Sequence, residues 1–195
     1  KNTASFVLKK FGKAKVVTAT NVFAHIEDVN SLMKNLLKIL KNDGIFISES
    51  HYLVSLIKTN QYDTIYHEHL RYYSLTSLKY LFKKYGMEII HAKKIDTHGG
   101  SIRVYAAREK KFKILKSVGK ILNFEKKFLN WKAFTNLKKN VARSKLNLYF
   151  VLKKLKDKNK KIYGIGAPSR ASTLINYVGL DENIIDCVLE AEGSY

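Results

Sequence analysis

The chain has 195 residues and is 46% hydrophobic, enough for one full domain and part of another, which excludes a disordered polymer. No apolar run approaches the roughly 18 residues of a membrane span, and no secretory signal opens the chain. The net charge of +20 suggests an anionic partner. Yet arginines are few and lysines coat every segment, as on solvated faces, and no recognised motif supports a nucleic acid.

The pattern predicts a first amphipathic helix over Thr3–Phe11, with Phe6, Val7, Leu8 and Phe11 as its apolar face and Gly12 at its end. A buried strand follows at Lys15–Thr20, then the loop NVFAHIED. Asp28–Leu40 reads as a helix with Val29, Leu32, Met33, Leu36, Leu37 and Leu40 on one stripe. A turn is expected at Asp43-Gly44 and a second strand at Ile45–Ser50. Strand, helix, strand in this order predicts a βαβ unit with parallel strands, whose carboxyl ends are where open α/β sheets bind ligands. The segment His51–Ser74 is long for a connection, and such loops are often functional.

Further on, Thr76–Tyr85 reads as a helix stopped by Gly86. Met87–Ile95 and Ser101–Arg108 read as strands of a hairpin. Lys110–Lys156 predicts two lysine-rich helices. From Lys161 a new strand, glycine turn, helix and strand open a second unit. The reading is α/β throughout: part of a Rossmann-like sheet over residues 1–109, a helical linker over 110–158, and the start of a second Rossmann-like domain over 159–195. The chain opens without methionine in a helix-like pattern and stops at Ala191–Tyr195 with no closing element, so it reads as a piece of a longer protein. Its one cysteine, Cys187, forms no internal disulfide, and a reducing, cytoplasmic setting is expected.

Groups able to move a proton concentrate in Tyr62–Leu75, YDTIYHEHLRYYSL. His69 is the side chain suited to taking a proton near neutral pH, Glu68 to orienting it or anchoring a hydroxyl, and Tyr66 to donating to a developing oxyanion. The alternative is a loop whose polar groups are satisfied by backbone and water. A second cluster is His98-Gly99-Gly100-Ser101-x-Arg103, where paired glycines permit close approach and Arg103 suits a phosphate or carboxylate. A plain hairpin turn with an exposed arginine is the competing reading. A third is Gly164-x-Gly166-Ala167-Pro168-Ser169-Arg170, a strand-to-helix turn whose helix N-terminus favours an anion. It lacks the third glycine of a dinucleotide fingerprint. A fourth is Asn21 and His25 after the first strand, able to line a cofactor cleft or simply to belong to a capping loop.

Taken in order, NVFAHIED, YDTIYHEHLRYYSL, HGGSIR and YGIGAPSRASTLINYVG resemble the S-adenosylmethionine-dependent C-methyltransferases that act on nucleotide-linked keto-deoxysugars. The resemblance implies that His69 is the general base, removing a proton beside the sugar's keto group to form an enolate. It implies that Tyr66 and Glu68 line the sugar pocket and that His98, Gly99, Gly100, Ser101 and Arg103 form the strand-end loop beside it. Gly164, Gly166, Ser169 and Arg170 match a phosphate-facing turn for a nucleotide diphosphate, and Asn21 and His25 match the methyl-donor side. The family's zinc-binding domain and its glycine-rich donor loop have no counterpart in this sequence, so zinc is expected only outside it. Two rival functions remain from the residues alone: a non-catalytic module for a nucleotide sugar or another anion, and a nucleic-acid binder. Oligomeric state is not readable.

Overall fold

The computed structural model describes residues 2–190. The expected ending at Ala191–Tyr195 lies outside the described residues. The described residues fold as two compact units, the first made of residues 2–59 and 68–130, the second of 60–67 and 131–190. This division differs from the sequence boundaries at 109 and 158, because one of the two helices expected in the linker packs with the first unit.

In the first unit, α1 (Asn2–Phe11) leads into strand β1 (Ala14–Thr20), helix α2 (Val29–Ile39) and strand β2 (Leu40–His51). Asp28 caps α2, its carboxylate accepting from the Ser31 N–H at 2.9 Å, and Val29, Met33 and Leu36 bury the predicted stripe. β1 and β2 are parallel, as the βαβ reading requires. The expected turn at Asp43-Gly44 is absent; β2 runs through it, and the register with β1 shifts between Ala14 and Val16 instead. Glycine serves at 44 because a Cβ there would lie 2.8 Å from Leu40 Cδ1 and 3.0 Å from the Lys15 carbonyl. The apolar face expected on α1 is not buried as such: Phe6 and Phe11 are 60% and 69% exposed.

The segment after β2, expected as loop, holds a helix, α3 (Leu53–Thr59), with Val54, Leu56 and Ile57 buried. α4 (Leu75–Lys83) starts at a capping box in which Ser74 and Ser77 satisfy each other's backbone N–H groups. Strands β3 (Met87–Ile95) and β4 (Ser101–Arg108) form the predicted antiparallel hairpin. β4 inserts antiparallel beside β2, giving the sheet order β1-β2-β4-β3. α5 (Lys116–Phe128) closes the unit, with Val118 and Glu125 buried. The core is aromatic at its centre: Phe46 and Phe82 meet edge to face with ring centroids 5.9 Å apart, and Phe23 lies 5.7 Å from Phe46.

In the second unit, α6 (Trp131–Lys156) spans 26 residues and buries none of them fully. Strand β5 (Tyr163–Ile165), helix α7 (Ser169–Val178) and strand β6 (Cys187–Leu189) form a second βαβ arrangement with β5 and β6 parallel. Its small core is Val178, Leu180 and Ile184, with Leu148, Leu152 and Leu174 packed against it. Asp186 joins its parts: its carboxylate accepts from Lys156 Nζ at 3.0 Å, the Ile162 N–H at 2.8 Å and Lys161 Nζ at 3.4 Å. These bonds, led by the Ile162 N–H, hold its pKa down at about 2.

Candidate active site

The carboxyl end of β2 organises the site in the first unit. Parallel register sets Glu49 beside Thr20 of β1, and the next residue, Asn21, turns at φ +54° with its N–H on the Glu49 carbonyl at 2.9 Å. On the other side antiparallel register sets Glu49 against Arg103 of β4. Arg103 Nε donates to Glu49 Oε2 at 2.6 Å, and Thr97 Oγ1 donates to Oε1 at 3.4 Å. Glu49 is 4% exposed, so its charge is balanced by this arginine and not by water. The Glu49 carboxylate first, and Tyr105 second, raise the Arg103 pKa further above its ordinary value. The guanidinium that the sequence offers to a ligand is therefore already engaged inside the protein.

The HGG loop follows from glycine chemistry. His98, Gly99 and Gly100 hold φ of +54°, +77° and +110° in succession. A Cβ on residue 100 would sit 2.4 Å from Ser55 Oγ, so glycine is required there by space as well as by conformation. The loop is closed by the Gly100 N–H on the Thr97 carbonyl at 2.9 Å, and Ser101 Oγ donates to the same carbonyl at 3.3 Å. The Gly100 carbonyl receives the Tyr52 N–H at 3.1 Å, tying the loop to the start of α3. His98 itself is exposed.

The segment carrying His69 is clamped along the loop that follows β1. The Leu70 N–H donates to the Ala24 carbonyl at 3.0 Å, and Arg71 donates to the Ile26 and Glu27 carbonyls, the latter at 2.9 Å. Tyr73 packs its ring 5.8 Å from Phe23 and points its hydroxyl at the Phe23 carbonyl at 3.4 Å. Burial raises the Tyr73 phenol pKa, so it remains a donor. These clamps set the half-buried ring of His69 edge-on to His25, centroids 4.9 Å apart, with Tyr72 at 6.1 Å on another side. His25 and Glu68 are exposed. The base candidate and the donor-side candidate are thus neighbours. Tyr66 belongs to the second unit, where its ring lies 6.0 Å from that of His67.

Sequence reasoning missed Glu125. It is 1% exposed, and its carboxylate accepts from Tyr52 Oη at 2.9 Å, the Leu75 N–H at 2.6 Å, the Thr76 N–H at 2.8 Å and Thr76 Oγ1 at 2.6 Å. Two of these donors are N–H groups of the first turn of α4, which have no partner within the helix and where a negative charge is favoured. Burial, followed by the adjacent carboxylate, raises the Tyr52 pKa far above its ordinary value, so the phenol stays protonated and donating. A signal existed: Val118, Ile121 and Leu122 form a helical stripe that continues to Glu125, an acid on an apolar face.

In the second unit the glycine turn has the predicted shape. Gly166 takes φ +79°, its N–H bonded to the Leu189 carbonyl at 2.7 Å, and Pro168 precedes α7. A Cβ at Gly164 would meet Val188 Cγ2 at 3.1 Å. The groups assigned to a phosphate have acidic partners from the chain itself. The Ala167 N–H donates to the Glu190 carboxylate, and Arg170 Nε donates to Asp63 Oδ2 at 2.9 Å. Ser169 is exposed at the helix start.

Known proteins supply the family. Residues 96–194, half of the chain, match the family model described as the C-methyltransferase C-terminal domain, and residues 2–92 match one described as a methyltransferase domain. The chain therefore belongs to the C-methyltransferase family. Among named proteins it is similar to C-methyltransferase NovU of Streptomyces niveus, with 32% identity over 177 residues, 89% of this chain and 42% of that one. The chain thus spans less than half the length of this relative. Among solved structures it is similar to the magnesium protoporphyrin IX methyltransferase ChlM of Synechocystis PCC 6803 with bound SAH, at 15% identity and a TM-score of 0.40, over 52% of this chain and 48% of that one.

Two polar residues after β1 are the ones the sequence reading offers to a methyl donor. Asn21, held at positive φ on the Glu49 carbonyl, and the exposed His25 both follow the carboxyl end of β1. No described helix is long and apolar enough to cross a membrane.

Proposed function

We propose that the protein methylates a carbon of a nucleotide-linked keto-deoxysugar in the cytoplasm, with His69 as the general base. S-adenosylmethionine, when bound beside Asn21 and His25, supplies an electrophilic methyl group. His69 removes the proton from the carbon next to the keto group, whose acidity comes from delocalisation onto the carbonyl oxygen. The observation that carries this reading is the placement of His69: half-buried, fixed by the Leu70 and Arg71 clamps, and edge-on to His25 on the donor side. A fixed imidazole with one exposed neighbour is set up to take a proton without reorganising.

Tyr66 and Glu68 keep the sugar-lining roles that the family resemblance gives them, and the same resemblance gives His98 and the Gly99–Ser101 loop a sugar-side role in the first unit. Arg103 acts through Glu49, as a brace for that loop. The nucleotide's diphosphate meets the Gly164–Arg170 turn, where Ser169 rotates toward it and Arg170 exchanges Asp63 for phosphate. The test is His69→Asn in the full-length protein. Nucleotide-sugar affinity should change little, and turnover should fall by roughly 10²–10⁴-fold. Unchanged turnover would remove His69 from the chemistry. Nucleotide-sugar binding without any methyl-donor binding would instead favour a non-catalytic module.

A further inference from the structure

We propose that Glu125 is a positioning residue for the reaction: through Tyr52 and the first turn of α4 it fixes the segment that carries His69. This rests on the reading of His69 as base. Two loops and helix α5 converge on Tyr52. Its N–H donates to the Gly100 carbonyl at 3.1 Å, its backbone forms a bridge with Tyr73, and its hydroxyl ends on Glu125 at 2.9 Å. The next residue, Leu53, donates its N–H to the Tyr73 carbonyl at 2.9 Å. On the chain side of Tyr73, Glu125 holds the Leu75 and Thr76 N–H groups at 2.6 and 2.8 Å. The histidine segment is therefore pinned at its start by the β1 loop and at its end by one carboxylate reaching in from α5.

No other group described at this spot supplies that function. The capping box formed by Ser74 and Ser77 satisfies the Ser74 and Ser77 N–H groups, leaving those of Leu75 and Thr76 to Glu125. A carboxylate accepts all four donors at once, because it has no proton of its own to place. Glutamine keeps the shape but turns one acceptor oxygen into an N–H₂ donor facing Thr76. The start of α4 then shifts, and the shift passes to Tyr73 and back toward His69. Misplacement of about an ångström in a reacting group costs on the order of 10²-fold in rate.

The experiment uses the full-length protein as wild type, Glu125→Gln and Tyr52→Phe, with histidine side chains isotope-labelled. Two readouts are taken: the NMR cross-peak between the His25 and His69 rings, and kcat and KM for methyl transfer. The proposal expects folded Glu125→Gln protein with a weakened cross-peak, kcat lower by roughly 10–100-fold and KM within about threefold. Tyr52→Phe, which removes one of the four bonds, should move both readouts less and in the same direction. If Glu125→Gln fails to fold, the Tyr52→Phe cross-peak decides. Folded variants with an unchanged cross-peak and unchanged kcat overturn the proposal. If His69→Asn proves fully active, the cross-peak still tests whether Glu125 sets the position of the ring, so the two failures are separable.

Discussion

Glu49 and Arg103 face each other across β2 and β4, joined by a bond of 2.6 Å from Arg103 Nε to Glu49 Oε2. The carboxylate is buried and the arginine side chain is 35% exposed, so the pair is stronger than a surface bridge and weaker than a sealed one. Glu49→Gln should cost about 1.5–3 kcal/mol of stability, the range for losing a hydrogen bond to a charged group. Arg103→Lys, which keeps the charge but not the fork, should cost less. Urea unfolding of both variants measures the difference, and equal losses would show that the guanidinium fork, not the charge alone, holds Glu49.

Gly100 is held by two separable constraints. Its φ of +110° disfavours any side chain, and a Cβ would press on Ser55 at 2.4 Å from Oγ and 2.6 Å from Cβ. Gly100→Ala should destabilise by more than about 2 kcal/mol. Adding Ser55→Gly removes the overlap but not the backbone strain, so the double variant should recover only part of the loss. Full recovery in thermal unfolding would assign the whole effect to packing.

Asp186 predicts an acid-sensitive second unit. Its pKa, about 2 in the fold, lies below its ordinary value of 3.8, chiefly because the Ile162 N–H and Lys156 favour the charged form. A carboxylate with a lowered pKa contributes stability above its unfolded value, and that contribution is lost as pH falls through the folded one. Unfolding of the 131–190 region, followed by hydrogen exchange of its backbone amides, should become easier between about pH 4 and pH 2. Asp186→Asn should be destabilised at neutral pH and should flatten that part of the profile.

The legible parts of the fold are those with local signals. α2 announces itself by the Asp28 cap and its apolar stripe, and the β3–β4 hairpin by the glycines between its strands. α3 has only seven residues, too short for a helical period to show, so it reads as loop. The glycine-rich turns are visible because their backbone demands are local. Their partners are not: Asp63 and Arg170 are 107 residues apart and Tyr52 and Glu125 are 73 apart, and no period or cap encodes such pairings. The HGGSIR arginine reads as a ligand group because its sequence neighbours do not reveal that register sets Glu49 opposite it. Phe6 and Phe11 show the converse error: an apolar pattern that the described residues leave uncovered.

Proton removal from the sugar can be observed apart from methyl transfer. Full-length protein is incubated in D₂O with the nucleotide-linked keto-sugar and S-adenosylhomocysteine, and loss of the proton signal beside the keto group is followed by NMR. The account predicts exchange by the wild type, and for His69→Asn a rate lower by roughly 10²–10⁴-fold with the nucleotide sugar still bound. Exchange at an undiminished rate in His69→Asn would contradict it.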